Sequence, residues 1–163
     1  MISGDFSSVD YSPVPLQVML MVGLPRSGKS TWIKKHQSSR VIISPDRIRK
    51  VCFGHQFFAP VEPYVWGLAK NMTRLLLEQG VSVIVDATNI TEGERAQWVA
   101  IAKEFNAEVL CKVFETSIEE CLKRNETCHI DEQVPVEVIE RMDANYTGPE
   151  YDKVDYWDIQ YFR

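Results

Sequence analysis

The chain has 163 residues, of which 45% are apolar and 25% charged, the composition of a globular domain able to bury a core of its own without staples. Eighteen basic against 23 acidic residues give a formal charge of −5. That excludes adhesion to nucleic-acid backbones through net charge, leaving only a local basic groove for such a role. Cys52, Cys111, Cys121 and Cys128 form no C-x-x-C pair and read as reduced thiols of a cytoplasmic protein. Residues 1–15 carry Asp5, Asp10 and two prolines but no positive or apolar signal region, so they read as a loose leader. The densest apolar run, Val18 to Val22, is far too short to span a membrane.

Leu16 to Val22 is a short apolar run ending at Gly23, which predicts a buried strand. A helix is expected from Lys29 to about Gln37, a second strand over Arg40 to Ser44, and a short helix over Asp46 to Phe53. After a loop over Gly54 to Pro63, the spacing of Val65, Leu68, Ala69, Met72, Leu75 and Leu76 predicts a longer helix to Gln79, stopped by Gly80. Val81 to Asp86 reads as the third strand. Thr91 with Glu94 forms a capping-box signature for a helix to about Phe105, and Ala107 to Phe114 a fourth strand. Ser117 with Glu120 repeats the signature for a helix to about Asn125. Residues 126–134 form a loop, Pro135 opens a helix ending near Tyr146, and Tyr156 to Phe162 reads as a last strand.

Strands alternating with helices predict an α/β fold, an open, mostly parallel sheet with helices on both faces. Residues 16–163 are expected to form one domain.

Gly23-Leu-Pro-Arg-Ser-Gly28-Lys29-Ser30 matches G-x-x-x-x-G-K-[ST] in full, after a strand and before a helix, as a phosphate loop requires. Its backbone N–H groups and the helix N-terminus cradle a polyphosphate, and Lys29 reaches the β- and γ-phosphates. The nucleotide-binding residues are therefore Gly23, Arg26, Ser27, Gly28, Lys29, Ser30 and Thr31, with ATP and Mg²⁺ as the implied donor and cofactor. Ser30 is placed to ligate the metal.

Asp46 and Asp86 follow the second and third strands, so a parallel sheet brings both to the edge where the phosphate loop lies. A phosphotransferase needs one carboxylate to accept the proton of the acceptor hydroxyl and another to organise the metal or its waters. Asp46 suits the first task and Asp86 the second. The plainer alternative for Asp46 is a helix cap.

Ser44-Pro-Asp46-Arg-Ile-Arg49, then Val83-Ile-Val-Asp86-Ala-Thr-Asn89, then Lys123-Arg124-Asn125 before Val134-Pro135 resemble the kinase module of phage-type 5′-hydroxyl polynucleotide kinases over about residues 16–146. The resemblance implies a P-loop kinase fold with a lid at about 124–134. It implies Asp46 as general base, Arg49 on the acceptor's phosphate with Arg47 beside it, Asp86 and Asn89 on the acceptor side or metal shell, and Arg124 as the first lid arginine. Four residues beyond Arg124, where the family has a second arginine, stands Cys128 followed by His129. Arg26 or Arg141 could supply that charge. Cys121, Cys128 and His129 have no fourth ligand at zinc spacing.

Arg40, Arg47, Arg49 and Lys50 form a basic cluster with Asp46 as its only acid, beside the aromatic stretch Phe53 to Trp66. Charge beside stacking faces is what single-strand nucleic-acid binding uses, whereas Phe57, Phe58 and Trp66, each taken singly, read as core before platform. Beyond residue 147 the chain turns acidic and aromatic, which reads as an edge strand with solvated acids. The function expected is transfer of the γ-phosphate of ATP to an acceptor hydroxyl, foremost the 5′-OH end of a polynucleotide. A nucleoside, sugar or antibiotic kinase and an acceptor-free nucleotide switch are the competing readings.

Overall fold

The computed structural model describes residues 15–36, 39–54, 57–148 and 155–162. The leader expected at 1–15 lies outside them save for its last residue, as do Gln37, His55 and the acidic residues Glu150 and Asp152. Strand β1 (Gln17–Val22) shows why, after Gln17 at its start, Val18 to Val22 has no polar gap. Val18, Leu20 and Val22 join one core cluster, while Met19 and Met21 point to a second on the opposite face. A strand covered on both sides must be apolar at every position.

Around β1 the strands β2 (Val41–Ile43), β3 (Val83–Val85), β4 (Glu108–Thr116) and β5 (Tyr156–Phe162) align in the order β2-β3-β1-β4-β5. Every pairing is parallel, with Val18 opposite both Val83 and Val109. The mostly parallel sheet expected is thus wholly parallel. β5 takes the edge foreseen for the acidic C-terminal stretch.

Helix α1 (Lys29–His36) covers one face, where Trp32 and Ile33 pack with Met21, Ile84 and Phe114. Helices α3 (Glu62–Glu78) and α4 (Glu92–Glu104) cover the other and contribute Val65, Ala69, Leu77, Trp98, Val99, Ile101 and Ala102 to the larger cluster. The helix signals act as anticipated at α4, where Thr91 and Glu94 form the reciprocal capping box, and at α5 (Ile118–Glu126), which Ser117 caps. Helix α6 (Val136–Ala144) follows Pro135, and its Ile139 is fully buried.

Three local features refine these expectations. The α3 face turned to the core is Val65, Ala69, Thr73 and Leu77, whereas Leu68, Met72 and Leu75 are 41%, 41% and 63% exposed. The helix expected from this spacing is present, and its apolar arc is wider than the face that the sheet and α4 cover. A 3₁₀ turn, Ala59–Val61, leads into α3, and another, Ile130–Glu132, sits inside the loop at 126–134. Helix α2 (Pro45–Phe53) is capped by Ser44, whose hydroxyl accepts from the Arg47 N–H, with Pro45 at the first helical position. Asp46 is therefore not the cap.

Candidate active site

In a wholly parallel sheet the strand C-termini share one edge, and the loops that leave it build the site. The loop after β1 turns on Gly23 at φ 148° and Gly28 at φ 109°, and Arg26 is also left-handed at φ 65°. At Gly23 a Cβ would stand 2.8 Å from Ser27 Oγ and 2.9 Å from the Phe114 carbonyl oxygen, so the turn has room only for glycine. The Gly23 N–H donates to the Thr88 carbonyl at 2.9 Å, and Thr116 Oγ1 donates to the Ser27 carbonyl at 2.9 Å. The phosphate loop is thereby pinned between the ends of β3 and β4.

Lys29 is buried inside this loop. Its Nζ donates to the carbonyls of Gly23 (2.8 Å) and Leu24 (2.6 Å) and to Ser27 Oγ (3.3 Å). Burial lowers its pKa to about 8, offset in part by attraction to Asp86 and Asp46. An ammonium held by loop carbonyls rather than by a carboxylate is a cation in want of an anion, and a polyphosphate supplies one. Ser30 and Thr31 lie exposed at the start of α1.

Ser30 Oγ donates toward the Asp86 carboxylate at 3.3 and 3.4 Å. Desolvation raises the Asp86 pKa, opposed by Lys29 and the Ser30 hydrogen bond. A hydroxyl and a carboxylate meeting at the mouth of a phosphate loop form a hard oxygen pair. They fit Mg²⁺, which takes few protein ligands and keeps waters and phosphate oxygens for the rest.

On the β2 side, the side chain of Asp46 is 89% exposed and accepts a 2.5 Å hydrogen bond from a terminal nitrogen of Arg49. Arg49 is itself buried, and its Nε and other terminal nitrogen grip both oxygens of Glu62 at 2.6 and 2.9 Å. Those Glu62 bonds, with Asp46, raise the Arg49 pKa against the cost of burial. Glu62 escapes sequence reasoning because its partner is thirteen residues away. Arg47 lies exposed beside Asp46 and helps stabilise the charge of Asp86.

Asn89 is brought to the same edge, but its side chain serves the scaffold. Only 2% exposed, with φ 45°, it donates to the Met21 carbonyl at 2.8 Å and accepts from Trp98 Nε1 at 3.1 Å. It ties the β3–α4 loop to β1 and leaves no face toward an acceptor.

At the lid, Arg124 pairs with Glu120 at 2.8 Å and donates to the Arg26 carbonyl at 3.2 Å. Arg26 in turn donates to the Glu132 carbonyl and reaches Asn125 Oδ1 at 3.4 Å. The two arginines thus lace the phosphate loop to residues 124–132, the stretch that the resemblance reads as a lid. Arg141 instead lines a separate cleft of about 340 Å³ with Thr91 and Glu94. Cys121 is fully buried, Cys128 donates to the Arg124 carbonyl, and His129 pairs with Asp131 at 3.3 Å.

Among solved structures, the fold matches a chain of the Pnkp1/Rnl/Hen1 RNA repair complex at 25% identity and TM-score 0.72, over 83% of this chain and 45% of that one. This chain therefore spans less than half of that protein. A sugar kinase from Janibacter sp. matches at 15% identity and TM-score 0.64, over 91% and 86% of the two chains. The Mycobacterium tuberculosis APS kinase CysC, in complex with AMPPNP and APS, matches at 17% and 0.61, over 90% of each. Among the described residues no helix is long and apolar enough to cross a membrane. A family model described as an AAA domain matches residues 18–149; with its phosphate loop and five parallel strands in this order, the chain belongs to that AAA-domain family and has the P-loop kinase fold.

Proposed function

We propose that this chain is an ATP-dependent phosphotransferase whose acceptor is the 5′-hydroxyl end of a polynucleotide, with Asp46 as the general base. The observation that carries the reading is the Asp46 carboxylate, exposed yet held in place by Arg49 and close enough to act electrostatically on Lys29 and Asp86. Hydrolysis alone needs no such group on the acceptor side, whereas a transferase needs one to accept the hydroxyl proton during in-line attack. The Asp-x-x-Arg spacing and the likeness to the RNA repair complex support a polynucleotide acceptor.

In this reading the backbone of residues 23–30 and Lys29 hold the donor's β- and γ-phosphates. Arg124 and Arg26 bring the lid's positive charge over them. Ser30 and Asp86 would hold Mg²⁺, which supplies charge neutralisation across the transferred group. Asp46 takes the proton of the attacking hydroxyl, and Arg47 offers its exposed guanidinium to the acceptor.

The test is transfer of labelled γ-phosphate from ATP to 5′-hydroxyl DNA and RNA oligonucleotides, with nucleosides and sugars in parallel and Asp46→Asn as control. Label on oligonucleotides that disappears in Asp46→Asn is the expected result. Label confined to a small molecule would move the acceptor, and slow hydrolysis that persists in Asp46→Asn would make the chain a switch.

A further inference from the structure

The corner where α2 meets α3 carries a surface of which the transfer reading uses only Arg47. Phe57 is 72% exposed, Phe58 52% and Tyr64 68%, although aromatic rings of this size usually find cover. Trp66, from the same stretch, packs against the core. Phe53, at the other end of the stretch, packs there too, so its described rings divide into two partly buried and three uncovered. On α2, Arg47 and Lys50 lie three residues apart and are both exposed. Neither makes an ion pair with a carboxylate among the described residues. The nearby acids are already matched, since Asp46 and Glu62 share Arg49.

The same fork ties α2, which carries Arg47 and Lys50, to the first turn of α3, and the uncovered rings stand in the chain just before and within that turn. That corner adjoins the candidate base. In a chain of net charge −5, unmatched cations on one helix and bare rings at the start of the next are complementary to a ligand with repeated negative charge and flat faces. Single-stranded nucleic acid has both, because phosphates meet the cations and bases stack on the rings.

We infer that Phe57, Phe58 and Tyr64, flanked by Arg47 and Lys50, form a stacking platform for the nucleotides that follow the reacting 5′ end of a single strand. This rests on the polynucleotide reading of the site and extends it from the reacting end to the strand behind it. The platform recognises stacking and charge rather than base identity, so it accepts DNA and RNA with little sequence preference.

The test is equilibrium binding of 3′-labelled 5′-hydroxyl oligothymidylates, from about 2 to about 12 nucleotides long, followed by fluorescence anisotropy at several salt concentrations. Affinity is expected to rise over the first few nucleotides and then level off. Phe57→Ala, Phe58→Ala and Tyr64→Ala should each weaken binding of the long oligomer by about 10-fold. Because all three rings are more than half exposed, these variants should keep the wild-type melting curve. Arg47→Gln with Lys50→Gln should lower the slope of log affinity against log salt by about 1.4, since each phosphate that is no longer neutralised takes away about 0.7.

Wild-type binding that does not grow with length, or ring variants that bind long oligomers as well as wild type, would overturn the platform. The kinase reading fails separately: a wild-type chain that binds in this length- and ring-dependent way yet labels no oligonucleotide keeps the platform and loses the transferase. Oligonucleotide labelling without length-dependent binding does the reverse.

Discussion

Two arginine–glutamate forks join successive helices in this protein, and they differ in what surrounds them. Arg49 grips Glu62 between α2 and α3 at 2.6 and 2.9 Å, and Arg74 grips Glu104 between α3 and α4 at 2.8 and 3.0 Å. Their geometry is the same. The side chains of the first pair are 9% and 16% exposed, those of the second 39% and 46%, and among the described residues only Arg49 has a nitrogen left that reaches another carboxylate, that of Asp46. The difference teaches that the fork itself is ordinary; burial makes it rigid, and the third contact turns rigidity into the orientation of a candidate base.

The largest effect expected from breaking this arrangement falls on Asp46. Asp46→Asn keeps the shape of the side chain and a weaker acceptor for Arg49, but it cannot take a proton. The turnover number should fall by about 10²- to 10⁴-fold, with the KM for ATP nearly unchanged. Steady-state kinetics with an oligonucleotide acceptor read this directly, and an unchanged turnover number would remove Asp46 from the chemistry.

Lys29 extends the comparison to a buried cation without a carboxylate fork. Its pKa is lowered to about 8 by burial, whereas that of Arg49 is raised by Glu62. The sign follows from the ordinary value of 10.5: between about pH 8 and 10.5 the unfolded chain holds a proton that the folded chain has released, so stability rises with pH across that window. The gain is about 3 kcal/mol over the full interval. Nucleotide phosphates should restore the charge, so ATP binding is expected to take up close to one proton at pH ~9 and to weaken as pH rises past about 8. Calorimetry in buffers of different ionisation heat measures that proton. Lys29→Met should abolish both the uptake and the pH-dependence.

Glu62→Gln sharpens the contrast with a smaller change. It removes one charge from the buried fork and leaves Arg49 bonded to a neutral amide, at a cost of about 1–3 kcal/mol in stability. If the fork orients Asp46, the turnover number falls by about 10-fold and the KM for acceptor stays put. If Arg49 instead binds the acceptor's phosphate, as the family resemblance implies, the loss appears in the acceptor KM and only with acceptors that carry a phosphate.

What was legible in the sequence divides along the same line. The donor side was readable because residues 23–30 are consecutive and their geometry depends on glycine backbone and one strand–helix junction. The sheet followed from apolar runs without gaps, and the cap at Thr91 from a three-residue spacing. The acceptor side was not, because Arg49 and Glu62 meet only once α2 and α3 are packed, and no local signal marks a partner thirteen residues away. Ser44 was a missed signal rather than an absent one: a serine before Pro45 is a cap followed by proline at the first helical position, and only Asp46 was weighed for that task, as the plainer alternative to a base. Asn89 sits in the right stretch of sequence, yet a left-handed turn buries its amide against Met21 and Trp98. Spacing reports which loop reaches the site, not which way a side chain in that loop turns.

The smallest effect tests whether the comparison is about burial at all. In the Arg74–Glu104 pair, the hydrogen bond from Arg74 holds the Glu104 carboxyl below its usual pKa, so the contact is real. Its partners remain in reach of water, which stabilises each charge nearly as well once the other is gone, and ordering two long side chains offsets much of what the contact contributes. Glu104→Gln should therefore leave both the melting temperature and the turnover number at wild-type values, within the error of thermal denaturation and steady-state assays, at low and at high salt. A marked loss in Glu104→Gln would mean that fork geometry, not burial, holds the α2–α3 corner in place, and Glu62 would then have no special claim on the orientation of Asp46.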